Sequence, residues 1–124
     1  MHITKGGKRM KVKVILNNII PPKRFYAITI WPFIFCRRKL HDMDLNHEII
    51  HCEQQEEMLI LPFFLWYGIE WLIRLIIYRN TFEAYRNISF EQEAYLNQHQ
   101  AWYTSERCHF AWIKYLTRKT FRKI

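Results

Sequence analysis

The spacing of apolar residues changes along the chain, from alternation near the N-terminus to helical periodicity beyond residue 42. Residues 11–16 (KVKVIL) begin with strict alternation and predict a short strand. Asn17, Asn18, Pro21 and Pro22 are turn signals. Residues 25–36 (FYAITIWPFIFC) are aromatic and β-branched and predict a second strand, in which Pro32 demands an edge position or a bulge. Asp42 and Asp44 are N-cap candidates for a helix over about 45–61, and Pro62 ends that helix or opens the next one, about 63–78. Ser89-Phe-Glu-Gln92 fits a capping box for a third helix reaching about 102. Thr104 or Ser105 can cap a fourth, to about 116. Short antiparallel strands followed by about four helices predict an α+β fold. With 124 residues, the expectation is a single domain: a loose basic arm at 1–9, a core at 10–116 and a basic tail at 117–124.

Composition adds that half the residues are hydrophobic, which excludes a disordered chain and demands a packed core or a membrane contact. The net charge of +8 is unevenly placed. Residues 1–39 hold ten Lys or Arg and no Asp or Glu, and Arg118, Lys119, Arg122 and Lys123 form a second basic cluster. All acidic residues lie between Asp42 and Glu106, so the carboxylates have a local task in a basic frame. The basic ends suit solvent or anionic lipid; no nucleic-acid motif accompanies them, which ranks nucleic acid as an unlikely partner. Cys36, Cys52 and Cys108 make an odd count without paired spacing, so no disulfide framework is expected. That, with no signal peptide recognisable in the broken apolar stretch before residue 22, predicts an intracellular protein, cytoplasmic or peripheral to the inner face of a membrane.

Residues 58–78 (MLILPFFLWYGIEWLIRLIIY) have membrane-spanning length but contain Pro62, Gly68, Glu70 and Arg74. Glu70 and Arg74 stand four apart and can pair on one helix face. A buried central helix and a helix lying against a membrane both fit, with burial in a soluble fold preferred.

The chemistry concentrates in His47-Glu48-Ile49-Ile50-His51, an H-E-x-x-H pattern in a predicted helix. Residues four apart share a helix face, so His47 and His51 can hold one tetrahedral Zn2+ ion, while Glu48 stands beside it as general base. A catalytic zinc keeps three protein ligands and an open position. The third ligand is open among the remaining histidines and the pair Glu91 and Glu93, which point roughly 200° apart on a helix and cannot both face the ion. An oxyanion donor is open among Tyr85, Tyr95, His99 and His109; His99, about two turns after Glu91, can face the same cleft. Cys52 is expected in the core, and Gln54 and Gln55 are expected to pack or face water.

HEIIH followed by Glu91-Gln-Glu-Ala94 resembles the gluzincins, zinc peptidases whose third ligand is a glutamate standing three residues before an alanine. The resemblance implies Glu91 as third ligand, with Glu93 as the alternative. It departs at Tyr95, where the family carries Asp or Asn in support of a ligand. Residues 27–36 resemble the gluzincin edge strand that lines a substrate cleft, where an extended peptide can add through main-chain hydrogen bonds. The runs NHEIIHCEQQEE, LPFFLWYGIEWLIRL and AYRNISFEQEAY also resemble a family of small bacterial proteins built around this core, over about 27–116. The expectation is a minimal gluzincin-like core that hydrolyses a peptide or protein substrate, with one zinc per chain held by His47, His51 and Glu91, Glu48 as base, and Tyr95 or His99 as oxyanion donor. The competing expectations are a metal-bound protein without turnover and a basic protein associated with a membrane surface through 58–78 and its charged ends.

Overall fold

The structure, a computed structural model, describes residues 2–5, 8–23 and 25–117. The fold is α+β, with strands first and helices after them. Residues 1–9 were expected to form a loose arm; instead β1 (His2–Lys5) and β2 (Lys8–Lys11) pair antiparallel. The basic tail at 118–124 lies outside the described residues.

A three-stranded sheet follows, in the order β3 (Lys13–Leu16), β5 (Phe33–Cys36), β4 (Ala27–Ile30). The strand expected over 25–36 is two strands, because Trp31-Pro32 forms a tight turn between them. A proline at the turn lacks nothing there, since its position needs no ladder donor. β4 pairs antiparallel with β5, but β3 runs parallel to it, so the sheet is mixed. β4, antiparallel to both, carries the chain back between the two parallel strands, as parallel pairing requires.

α1 (Asp42–Glu57) lies against the sheet and α4, and nine consecutive residues from His47 to Gln55 are buried. A helix enclosed on all sides is a central core element. Its apolar side meets the sheet through Val12, Ile34, Ile49 and Cys52. Another side meets α4 (Ser89–Asn97), and Tyr103 beyond it, through Ile50 and Ala94. What remains of α1 is polar and buried, and there the chemistry is placed. His41, not Asp42 or Asp44, is the N-cap; the Asp44 carboxylate accepts the His41 main-chain N–H at 3.4 Å.

α2 (Leu61–Tyr78) carries Pro62 in its first turn, where no main-chain donor is missed. Its Phe63 packs with Ile88, Phe90 and Trp112. α3 (Thr81–Arg86) was not expected; Asn80 caps it, accepting the Glu83 N–H at 2.9 Å. The capping box expected at Ser89 does not form, because Ser89 is the first residue inside α4. Its main-chain N–H and its hydroxyl both donate to the Glu70 carboxylate of α2, each at 2.6 Å. A distant carboxylate thus takes the place of a local cap at a helix N-terminus. Glu70 pairs with Arg74 at 3.1 Å, as their spacing predicts, and Arg74 donates to the Leu116 carbonyl at 2.6 Å. Beyond α4, the single helix expected over 104–116 is a four-residue helix, α5 (Tyr103–Glu106), and a 3-10 turn, Ala111–Tyr115.

Candidate metal centre

The i,i+4 spacing on α1 stacks His47 over His51, with their Nε2 atoms 3.1 Å apart. Glu91 in the first turn of α4 brings its Oε1 to 3.3 Å from His47 Nε2 and 3.2 Å from His51 Nε2. All three residues are buried. The three atoms form a nearly equilateral triangle. A tetrahedral ion with ligands at about 2.0–2.1 Å requires about 3.3–3.4 Å between ligand atoms, so the donor set fits zinc.

The hydrogen bonds behind the triangle determine which ring nitrogens face it. His51 Nδ1 lies 2.8 Å from Gln54 Oε1, and the Gln54 amide nitrogen donates to the Phe90 carbonyl at 3.0 Å and to Glu93 Oε1 at 2.9 Å. Both of those partners only accept, so the amide is oriented with its oxygen toward His51. His51 therefore carries a proton on Nδ1, and in its neutral form turns the Nε2 lone pair inward. His47 Nδ1 meets Gln98 Oε1 at 2.7 Å in the same manner. The Tyr67 hydroxyl of α2 donates to Glu91 Oε2 at 2.7 Å, leaving Oε1 for the triangle. Two imidazole lone pairs and a carboxylate oxygen converge on one buried point, an arrangement that a cation or a shared proton must satisfy. Burial opposes a charge on His51, but the adjoining Glu91 carboxylate outweighs it and raises the His51 pKa to about 9. Burial likewise opposes ionisation of Glu91, but the two histidines hold its carboxyl well below the usual carboxylate range.

Glu48 is not part of the triangle. Its side chain lines an adjoining cleft of about 90 Å3 with His47, Tyr26, Tyr85, Tyr95 and Gln98. The Thr29 hydroxyl of β4 donates to Glu48 Oε1 at 2.8 Å, which leaves Oε2 unassigned. Of the segment 27–36, expected at a sheet edge, β4 is an edge strand but β5 is the central one. Along its outer edge Gln55 takes the Thr29 carbonyl at 2.7 Å and the Trp31 N–H at 2.7 Å. The two-residue period of a strand puts the main chain of Ala27, which lines the cleft, on that same outer edge.

The other expected site residues divide. Tyr95 lies in the cleft, its ring edge-on to His47 at 4.4 Å and its hydroxyl 2.8 Å from that of Tyr85. Burial first, and the Glu91 charge second, raise both phenols above their ordinary range, so both keep their protons at neutral pH. His99 does not face the cleft. α4 ends at Asn97, the helical extrapolation fails there, and His99 is exposed beside a neighbouring depression lined by Leu45, Ile49 and Thr104. His109 is exposed and lies 3.6 Å from Glu57, on the Arg107 side of the molecule. Glu93, the alternative ligand, points away from the triangle, as its two-residue offset from Glu91 dictates. It is fully buried against Arg107 and accepts the Tyr103 hydroxyl at 2.6 Å. Cys52 is a core thiol whose ionisation burial opposes. Gln54 and Gln55 do not face water; both are buried and both hold site elements together. Sequence reasoning missed Tyr67, Gln54 and Gln98. Only Gln54 carried a local signal, three residues after His51 on the same helix.

Comparison of the chain with protein-family models, with curated proteins and with solved structures finds no match. The functional reading therefore rests on the chemistry of the site.

Proposed function

We propose that this chain is a zinc-dependent hydrolase acting on peptide bonds, with a minimal gluzincin-like site. The observation that carries the proposal is the triangle of His47 Nε2, His51 Nε2 and Glu91 Oε1, with edges of 3.1–3.3 Å and both tautomers set by glutamine oxygens. His47, His51 and Glu91 would hold zinc there, which would supply a Lewis acid for a scissile carbonyl and for the attacking water. Glu48 takes the proton of that water on Oε2, the oxygen that Thr29 leaves open, and returns it to the departing amine. One hydroxyl of the Tyr85–Tyr95 pair donates to the other, and the remaining proton is available to a developing oxyanion. The outer edge of β4 at Ala27 can pair with an extended substrate strand across the cleft.

The smallness of the cleft favours a second reading, a metal-bound protein without turnover. The Glu48→Gln variant separates the two. In a hydrolase it loses about 100- to 10,000-fold in kcat on a peptide library while its zinc content stays that of wild type. Wild type that holds zinc yet cleaves no member of such a library supports the second reading instead.

A further inference from the structure

α2 has its polarity inverted relative to a core helix. Of its 18 residues only Phe63, Glu70 and Arg74 are buried. The two charged side chains of the helix face the protein, and the aliphatic ones face outward. Leu61, Leu65, Ile69, Ile73, Ile76 and Ile77 are 79, 67, 51, 52, 74 and 60% exposed. Leu59 at the preceding corner (77%) and Phe82 at the start of α3 (49%) extend the same apolar surface. A patch this continuous marks a contact site rather than scattered surface hydrophobics.

Charge indicates what covers it. Between residues 58 and 82 the only acidic residue is Glu70, which is buried against Arg74, so no carboxylate meets a partner along this face. The exposed charge there is a cation, Arg79, directly after the helix. An aliphatic helix face with no outward carboxylate and with the exposed Arg79 at its end, in a chain of net charge +8, matches the surface of an anionic bilayer. It does not match a second copy, since two chains of net charge +8 would be brought together. A spanning arrangement would carry into the bilayer the rest of the domain, which Glu70 and Arg74 hold against the inner side of α2 through Ser89 and Leu116.

We propose that the outer face of α2 docks in the plane of an anionic lipid bilayer, with Leu61, Leu65, Ile69, Ile73 and Ile76 in the acyl boundary and Arg79 at the headgroups. The helix is about 27 Å long, so the contact runs across most of the domain. Tyr67 of the same helix bonds Glu91, which places the metal centre on the opposite side of α2 from the lipid.

The test is flotation of the purified full chain with vesicles of phosphatidylcholine alone or of phosphatidylcholine with phosphatidylserine, at low and high salt. Ile69→Glu with Ile73→Glu is the informative variant, because both side chains are exposed and the fold does not need them; circular dichroism checks that it folds. The expected result is wild type bound to the anionic vesicles, released by salt, and bound about tenfold less by the variant. A second check uses Gly68→Glu, where an added Cβ meets nothing within 4 Å. It is expected to weaken flotation without lowering the melting temperature. Wild type that stays off both kinds of vesicle, or a folded double variant that floats as well as wild type, overturns the proposal. So does a dimer in analytical ultracentrifugation that the double variant dissolves, which would assign the face to a second copy.

Discussion

At the scale of residues, the centre depends on groups one step removed from the three candidate ligands. Gln54 and Gln98 receive the Nδ1 protons of His51 and His47, and neither touches the triangle. Groups in that position set ligand orientation and basicity, and their loss typically costs 10- to 100-fold in metal affinity. Gln98→Ala is therefore expected to weaken zinc by about that factor while the chain stays folded, since Gln98 sits past the end of α4. Competition titration against a chromophoric chelator reads it directly. An unchanged affinity would mean that the His47 tautomer is set by something else. The Tyr95 ring packs edge-on against His47, and Gln98 supplies the acceptor for the His47 Nδ1 proton.

At the scale of elements, α1 and α4 must keep a fixed relation for Glu91 to reach two histidines on another helix. A buried ion network holds that relation. Arg107 contacts Glu57 at 2.8 Å and Glu53 at 3.6 Å on α1, and also pairs with Glu93 on α4. Removing the cation leaves three buried carboxylates without it. Arg107→Ala is expected to cost about 3–5 kcal/mol in urea unfolding of the metal-free protein. A loss below about 1 kcal/mol, the scale of an exposed pair, would show that the network is not what joins the helices. The same contrast explains what could be read in advance. The HEIIH helix, the Glu70–Arg74 pair and the α+β order are local or periodic properties, and they are legible in sequence. Tyr67, Gln98 and the cap that Glu70 provides for α4 depend on which helices meet, so nothing near them in sequence reveals their role. The Ser89 capping box misled because a tertiary carboxylate competes successfully for the same donors. α3 was missed although Asn80 signalled it, because six residues are too short for a visible hydrophobic period.

At the scale of the molecule, the basic frame and acidic centre seen in the charge distribution acquire distinct tasks. Each buried carboxylate among the described residues has its place: Glu91 in the triangle, Glu48 at the cleft, Glu53 and Glu93 around Arg107, and Glu70 beneath α4. Cys36, Cys52 and Cys108 are free thiols, the first two buried and the third exposed. If zinc binds only the folded chain, it stabilises that chain by about 2.7 kcal/mol at a free concentration one hundred times its Kd, so melting temperature should rise with added zinc. The most direct test of the central claim is zinc content by elemental mass spectrometry, on wild type and on a His47→Ala, His51→Ala double variant shown to be folded. The account predicts about one zinc per chain in wild type and none in the variant. A folded wild type that holds no metal after exposure to micromolar zinc, or a variant that holds as much as wild type, would contradict it.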